Sequence, residues 1–164
     1  MAGRVVHTRG SYSNLSGGNE MTHEDKGHFS DKHGKDQEID ARIAEAIRER
    51  VPGNEVPCAV AFTIVEDLKV EPRAVGRTID QVEKSITKCQ LGLFGYGPQK
   101  SPVSPRENVD EELEKAVRER LNEGRLPCKE AWDIAEGLGL RKMQITSACE
   151  KLGIKISRCQ LGTF

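Results

Sequence analysis

Residues 126–152, LPCKEAWDIAEGLGLRKMQITSACEKL, decide how the chain is read. Their apolar positions fall where a helix, a tight turn and a second, crossing helix need them. Ile134, Ala135 and Leu138 make one helical face, Gly139 breaks it, and Leu140 plugs the turn. Ile145, Ala148 and Leu152 then resume the 3.6-residue period. The small Ala135 lets the second helix approach closely, and Gly139 tolerates the positive φ that such turns often require.

Over about 22 residues, 131–152, this pattern resembles the DNA-binding helix-turn-helix superfamily. The resemblance implies a second helix laid in the major groove of duplex DNA. It carries no catalytic signature.

An earlier copy of the unit settles the organisation. Cys58, Cys89 and Gly92 match Cys128, Cys159 and Gly162 at a constant offset of 70 residues, and residues 39–94 align with 109–164 without a gap. Arg48-Glu49-Arg50 matches Arg118-Glu119-Arg120, Pro57-Cys58 matches Pro127-Cys128, and Cys89-Gln90-Leu91-Gly92 matches Cys159-Gln160-Leu161-Gly162. A lone unit of about 56 residues is only marginally stable, so the copies are expected to pack together. The fold class read here is mainly α: two tandem three-helix helix-turn-helix units, each followed by a short β-strand, packed as a pseudo-symmetric pair. The divisions are a disordered polar, His-containing tail (1–37), the first unit (38–94), a Pro/Gly linker (95–108) and the second unit (109–164).

Composition agrees with two small domains and a tail, since 36% of residues are hydrophobic and 31% charged, too little for one large core. Seven aromatic residues are too few to furnish the stacking platforms of single-strand-binding proteins. The net charge of −1 says little, but its distribution says more. Residues 109–136 carry nine acids and five bases, whereas 137–164 carry Glu150 against Arg141, Lys142, Lys151, Lys155 and Arg158. In the first unit the matching halves are −3 and +2. Both units are thus basic on the trailing half, where a nucleic-acid face is expected.

No apolar run reaches membrane-span length, the N-terminus lacks the apolar core of a signal peptide, and the cysteines fit no secreted framework. A cytoplasmic protein is expected. Residues 1–37 are rich in Gly, Ser, Asn, His and charge and are read as disordered. They hold His7, His23, His28 and His33, the last three recurring every five residues. That recurrence admits a metal-binding tail, but the step puts no two imidazoles on one helical face, which favours a solvated polar segment. Met21 is an alternative start.

Leading helices are expected over 39–51 and 109–121, braced by Ile43, Ala46 and Ile47 and by Leu113, Ala116 and Val117. Pro57 and Pro127 stand where the next helices, 58–68 and 128–138, begin. Phe62 and Trp132 share one repeat position and are read as core or inter-repeat anchors. The first copy departs from the superfamily pattern at Val65, for the small Ala, and at Lys69, for the turn Gly, which points it towards dimerising or scaffolding.

The candidate recognition helices are 72–82 and 141–152. A 100° step per residue puts Met143, Thr146, Ser147 and Glu150 outward in the second, and Arg73, Gly76, Arg77 and Asp80 in the first. Gln144, Arg73 and Arg77 are the sequence-reading candidates, because Gln pairs with adenine and Arg with guanine. Arg141, Lys142 and Ser147 stand beside them, and Lys84, Lys88, Lys151, Lys155 and Arg158 are the phosphate candidates. Glu150 and Asp80 accept from cytosine or pair with a cation one turn away. In the linker, Tyr96 is free to pack on either unit, and Lys100 and Arg106 are further backbone contacts.

Each unit closes with an extended segment, 84–91 and 154–161, and the two are expected to pair as a ribbon between the halves. Cys58 and Cys128 lie near helix N-termini, where the dipole lowers a thiol pKa; the other reading is that small buried cysteines, with Cys149 on the inner face of the last long helix, were duplicated with the fold. No C-x-x-C occurs.

The partner implied by the resemblance is double-stranded DNA, in a prokaryotic-type transcriptional regulator; homo-oligomerisation stays open, and no membrane partner and no cofactor is expected. The alternatives are a protein-interaction or scaffold module without DNA binding, and a cysteine-based metal or redox sensor. An enzyme is not expected, because no His lies outside the tail and no nucleophile elbow, phosphate-binding Gly loop or metal triad occurs.

Overall fold

A computed structural model describes residues 29–32, 38–95 and 103–164. Among the described residues, six α-helices and four short strands follow in two runs of the same order. The first run is α1 (Ala41–Arg50), β1 (Glu55–Pro57), α2 (Cys58–Leu68), α3 (Pro72–Gln81) and β2 (Ser85–Thr87). The second is α4 (Glu111–Glu119), β3 (Leu126–Pro127), α5 (Cys128–Gly137), α6 (Lys142–Leu152) and β4 (Ile156–Ser157). None of these helices is long and apolar enough to cross a membrane.

Local chemistry sets the helix ends. The Asp40 carboxylate accepts from the N–H groups of Arg42 and Ile43 at 3.0 and 3.4 Å, so α1 begins there rather than at Ile39, which is exposed. Pro57 and Pro127 cap α2 and α5 in extended conformation instead of forming their first turn, because each also ends a strand.

Those strands correct the expected ribbon between halves. β1 pairs with β2 in parallel, Val56 opposite Ile86, and β3 pairs with β4, Leu126 opposite Ile156. A parallel pair needs a crossover of a dozen or more residues, and the two intervening helices of each half supply one. Each closing segment therefore finds its partner within its own half.

The turn from α2 to α3 matches the turn from α5 to α6. Lys69 takes a left-handed φ of 52°, Gly139 one of 64°, and Val70 N–H and Leu140 N–H donate back to the carbonyls of Val65 and Ala135 at 3.2 and 2.8 Å. The lysine thus adopts the glycine conformation. A left-handed non-glycine residue costs about 1–2 kcal/mol, and glycine's extra unfolded-state entropy returns about 0.5–1. Lys69→Gly is accordingly expected to stabilise the protein by about 0.5–1 kcal/mol, because the exposed Lys69 side chain packs on little. A urea midpoint that rises at constant m-value is the expected reading, and a lower midpoint contradicts it.

The two cores exchange their closing segments. Cys89 and Leu91 are buried with Leu113, Val117, Leu126, Ile134 and Ile145 of the second half. In return Leu161 is buried with Ile43, Ile47, Val56, Ile64 and Ile79 of the first, and Cys159 packs against that cluster. Gly76 in α3 makes room: a Cβ there stands 1.8 Å from the Leu161 carbonyl oxygen. Equivalent residues also meet each other. The Phe62 and Trp132 rings lie 4.3 Å apart between centroids, tilted by 43°, and Phe94 meets Phe164 edge-on at 6.3 Å.

Two polar segments contact the helices. Phe29–Lys32 form a 3-10 turn in which the N–H groups of Phe29 and Ser30 donate to the Glu83 carboxylate at 3.0 and 3.2 Å. The four histidines, Met21, Tyr96 and Lys100 lie outside the described residues. The linker's end docks on α6: Ser147 Oγ donates to the Ser104 carbonyl at 2.6 Å, and Arg106 N–H donates to the Ser147 carbonyl at 3.1 Å.

Candidate nucleic-acid interface

The outer faces of α3 and α6 are only partly open. Gly76 is covered by the Leu161 backbone and Thr146, its repeat equivalent, is 1% exposed. This corrects the helical-wheel placement of both as outward residues; the wheel accounts for packing within a unit, and the second covering surface arrives from the other half. What stays open is the N-terminal end of each helix. Arg73 and Arg141 are exposed, Arg77 is half-buried, and Met143 is 40% exposed.

Several candidate side chains already serve the fold. Lys84 Nζ donates to the Val51 carbonyl at 3.0 Å and to that of Gly53, closing the C-terminal end of α1. Gln144 Oε1 accepts from the Arg141 N–H at 2.8 Å, capping α6. Ser147 is held by the linker as described. Lys142 lies over the Trp132 ring, 3.2 Å from its centroid, and donates to Gln90 Oε1 at 2.7 Å. Burial holds its pKa below the usual lysine value, against the opposing pull of Glu66 and Glu136.

The remaining cations sit at the surface. Lys88 and Arg158 share a repeat position and a left-handed backbone, with φ of 47° and 50°. Arg158 donates to Asn122 Oδ1 at 2.9 Å and stands 3.8 Å from Glu123. Lys155 is 3.9 Å from Glu150, which gives that acid a partner, and Lys151 is exposed. Exposed pairs of this kind contribute about 0–1 kcal/mol, so a phosphate competes with them easily.

Arg141, Lys142, Gln144 and Ser147 come together around one cleft of about 660 Å³ at the start of α6, and Gln90 and Arg106 complete its rim. The sequence placed Arg106 in the linker and Gln90 in a repeated motif, but nothing in either stretch signals that they meet α6. Arg73, Arg77 and Lys88 belong to the first half and do not line it.

The thiols behave oppositely to the helix-dipole expectation. Burial pushes Cys58 and Cys149 up to about 11 and raises Cys128, outweighing the N–H donors that Gln90 and Gln160 offer to Cys58 and Cys128. All but Cys159 are buried. Their raised pKa values make Cys58, Cys128 and Cys149 poor nucleophiles at neutral pH. Among the described residues no group of three or more His, Cys, Asp or Glu is arranged to hold a metal ion.

Comparison with known protein families, characterised proteins and solved structures finds no match to this chain.

Proposed function

We propose that the protein is a non-enzymatic regulator that binds duplex DNA from the cytoplasm, with two helix-turn-helix units on one chain taking the place of the two subunits of a dimer. The observation that carries this reading is the exposure of Arg73 and Arg141 at the starts of α3 and α6, the helices that follow the matched turns. In helix-turn-helix proteins it is the N-terminal residues of the second helix that reach base edges. Burial of Gly76 and Thr146 at mid-helix therefore leaves the reading ends available. The self-contacts of equivalent residues and the exchanged tails support a pseudo-two-fold arrangement, which suits a palindromic site. Lys88, Lys151, Lys155 and Arg158 supply phosphate contacts, with Arg77 beside Arg73.

Fluorescence anisotropy with random duplex DNA tests the reading. Affinity is expected to fall between about 50 and 200 mM salt with a log–log slope near −4 to −5, each phosphate neutralised contributing about 0.9. Lys151→Ala and Lys155→Ala, at phosphate candidates, are each expected to weaken binding and make that slope shallower by about 1, whereas Arg73→Ala and Arg141→Ala are expected to cost sequence discrimination. Absence of binding even at about 50 mM salt overturns the proposal.

A second reading is a protein-interaction module. It is favoured by the linker lying over Ser147 beside the exposed Met143, an arrangement better suited to docking a side chain than to following a groove. Failure of the salt titration passes the assignment to it.

A further inference from the structure

We propose that the cleft at the start of α6 is a binding site for a small organic phosphate. Its volume, about 660 Å³, falls within the range of small-molecule sites. Arg106, Arg141 and Lys142 line it and, among the described residues, no carboxylate does. In a chain with 25 basic and 26 acidic side chains, that is a marked local excess of positive charge. Glu66 and Glu136, whose charges act on Lys142, are not among the lining residues.

A second observation points to a ligand. Arg106 Nη1 is buried with no hydrogen-bond partner among the described residues. Arg106 itself is half-buried, and a guanidinium with one donor left unpaired gains by turning it to an anionic oxygen in the cleft. Two guanidinium groups and an ammonium suit the several oxygens of a phosphate better than a single carboxylate. Leu140 and Met143 make an apolar wall, which fits the carbon body of an ester rather than the free inorganic ion.

The site exists only in the docked chain. Gln90 comes from the closing segment of the first half, Arg106 from the linker, and the rest from the turn and α6. An occupant thus bridges the halves at one of the two helix ends assigned to DNA, and it competes with the duplex there. That regulatory consequence rests on the DNA reading, whereas ligand binding itself does not.

Titration of the full chain with phenyl phosphate, and separately with inorganic phosphate, tests the site without DNA present, so its failure leaves the DNA reading untouched, and the reverse. Trp132, the sole tryptophan, touches Lys142 at the cleft and reports occupancy by its fluorescence, with heats of binding as a second readout. Saturable binding is expected, at least tenfold tighter for phenyl phosphate than for inorganic phosphate. Arg106→Gln is expected to lower affinity at least tenfold. Met143→Glu, at an exposed position that tolerates the change, is expected to abolish binding by repulsion and serves if the arginine variant fails to fold. No saturation by either anion up to about 10 mM, or an affinity unchanged in both variants, overturns the proposal. Equal affinity for the two anions overturns its assignment to an ester.

Discussion

Replacing Gly76 with alanine is expected to destabilise the protein by about 3 kcal/mol and to lower its melting temperature by about 6–12 °C. The added Cβ falls 1.8, 2.7 and 3.0 Å from the carbonyl oxygen, carbonyl carbon and Cα of Leu161, all backbone atoms with no rotamer to change. α3 cannot back away, because Val75, Thr78 and Ile79 are locked in the core on either side of Gly76. The closing segment must lift instead, taking Leu161, now 3% exposed, out of the first core. Losing that burial costs about 1.5–3 kcal/mol and residual overpacking about 1–3, against a gain of only about 0.5–1 from replacing a mid-helix glycine. Gly137→Ala is the matched control: it ends α5, is exposed, meets nothing within 4 Å, and is expected to stabilise by about 0.5–1 kcal/mol. Hydrogen exchange in the Gly76 variant is expected to quicken in α3 and around Gln160–Leu161. If the variant melts with the parent, the close approach is not a feature of the molecule in solution.

That contact marks where sequence reading stops. The order of the helices was legible because Pro-Cys, Cys-Gln-Leu-Gly and the apolar period all recur at one offset, and α2 spans the residues expected of it. The turn was legible from Gly139 and its form carried over to Lys69 despite the change of residue. A repeat alignment, however, states only that Leu91 and Leu161 are equivalent. It is silent on whether each fills its own core or its neighbour's, since both arrangements satisfy the same hydrophobic pattern. The strand partners were hidden for a different reason: β1 and β3 have three and two residues, end on proline, and show no alternation to detect. The outward faces were misplaced at Gly76 and Thr146 because a helical wheel registers one packing surface per helix. Gly76 carried a signal nonetheless, as a helix-interior glycine commonly permits close backbone approach. In the candidate site, Arg141 and Lys142 were readable from charge, whereas Gln90 and Arg106 reach α6 only through the exchange of segments and the docked linker.

The exchange makes each half incomplete alone, and this yields the other large effect. The second half expressed as residues 103–164 is expected to be a homodimer rather than a folded monomer. Its core lacks Cys89 and Leu91, which are 7% and 0% exposed in the intact chain, and filling that gap is worth about 2–5 kcal/mol by the measure of Leu-to-Ala losses. A domain of about 60 residues has little more than that to spare. The same fragment, however, carries Cys159-Gln160-Leu161-Gly162, identical to the missing Cys89-Gln90-Leu91-Gly92, and both stretches close with the same turn, Gly92 and Gly162 N–H donating to the carbonyls of Cys89 and Cys159 at 2.8 and 2.9 Å. A second copy can therefore lend its own segment and receive one in return, the isologous exchange that the intact chain performs internally. Light scattering is expected to give twice the fragment mass, with a melting temperature that rises with protein concentration. Leu161→Ala in the fragment removes the borrowed side chain from both cores at once, so it is expected to abolish dimer and fold together. In the intact chain the same substitution opens only the first core, and hydrogen exchange is expected to quicken in α2 and α3 while α5 and α6 keep their protection. A monomeric fragment that unfolds cooperatively would mean that the closing segment can fold back into its own half, and the two halves would then be neighbours rather than parts of one core.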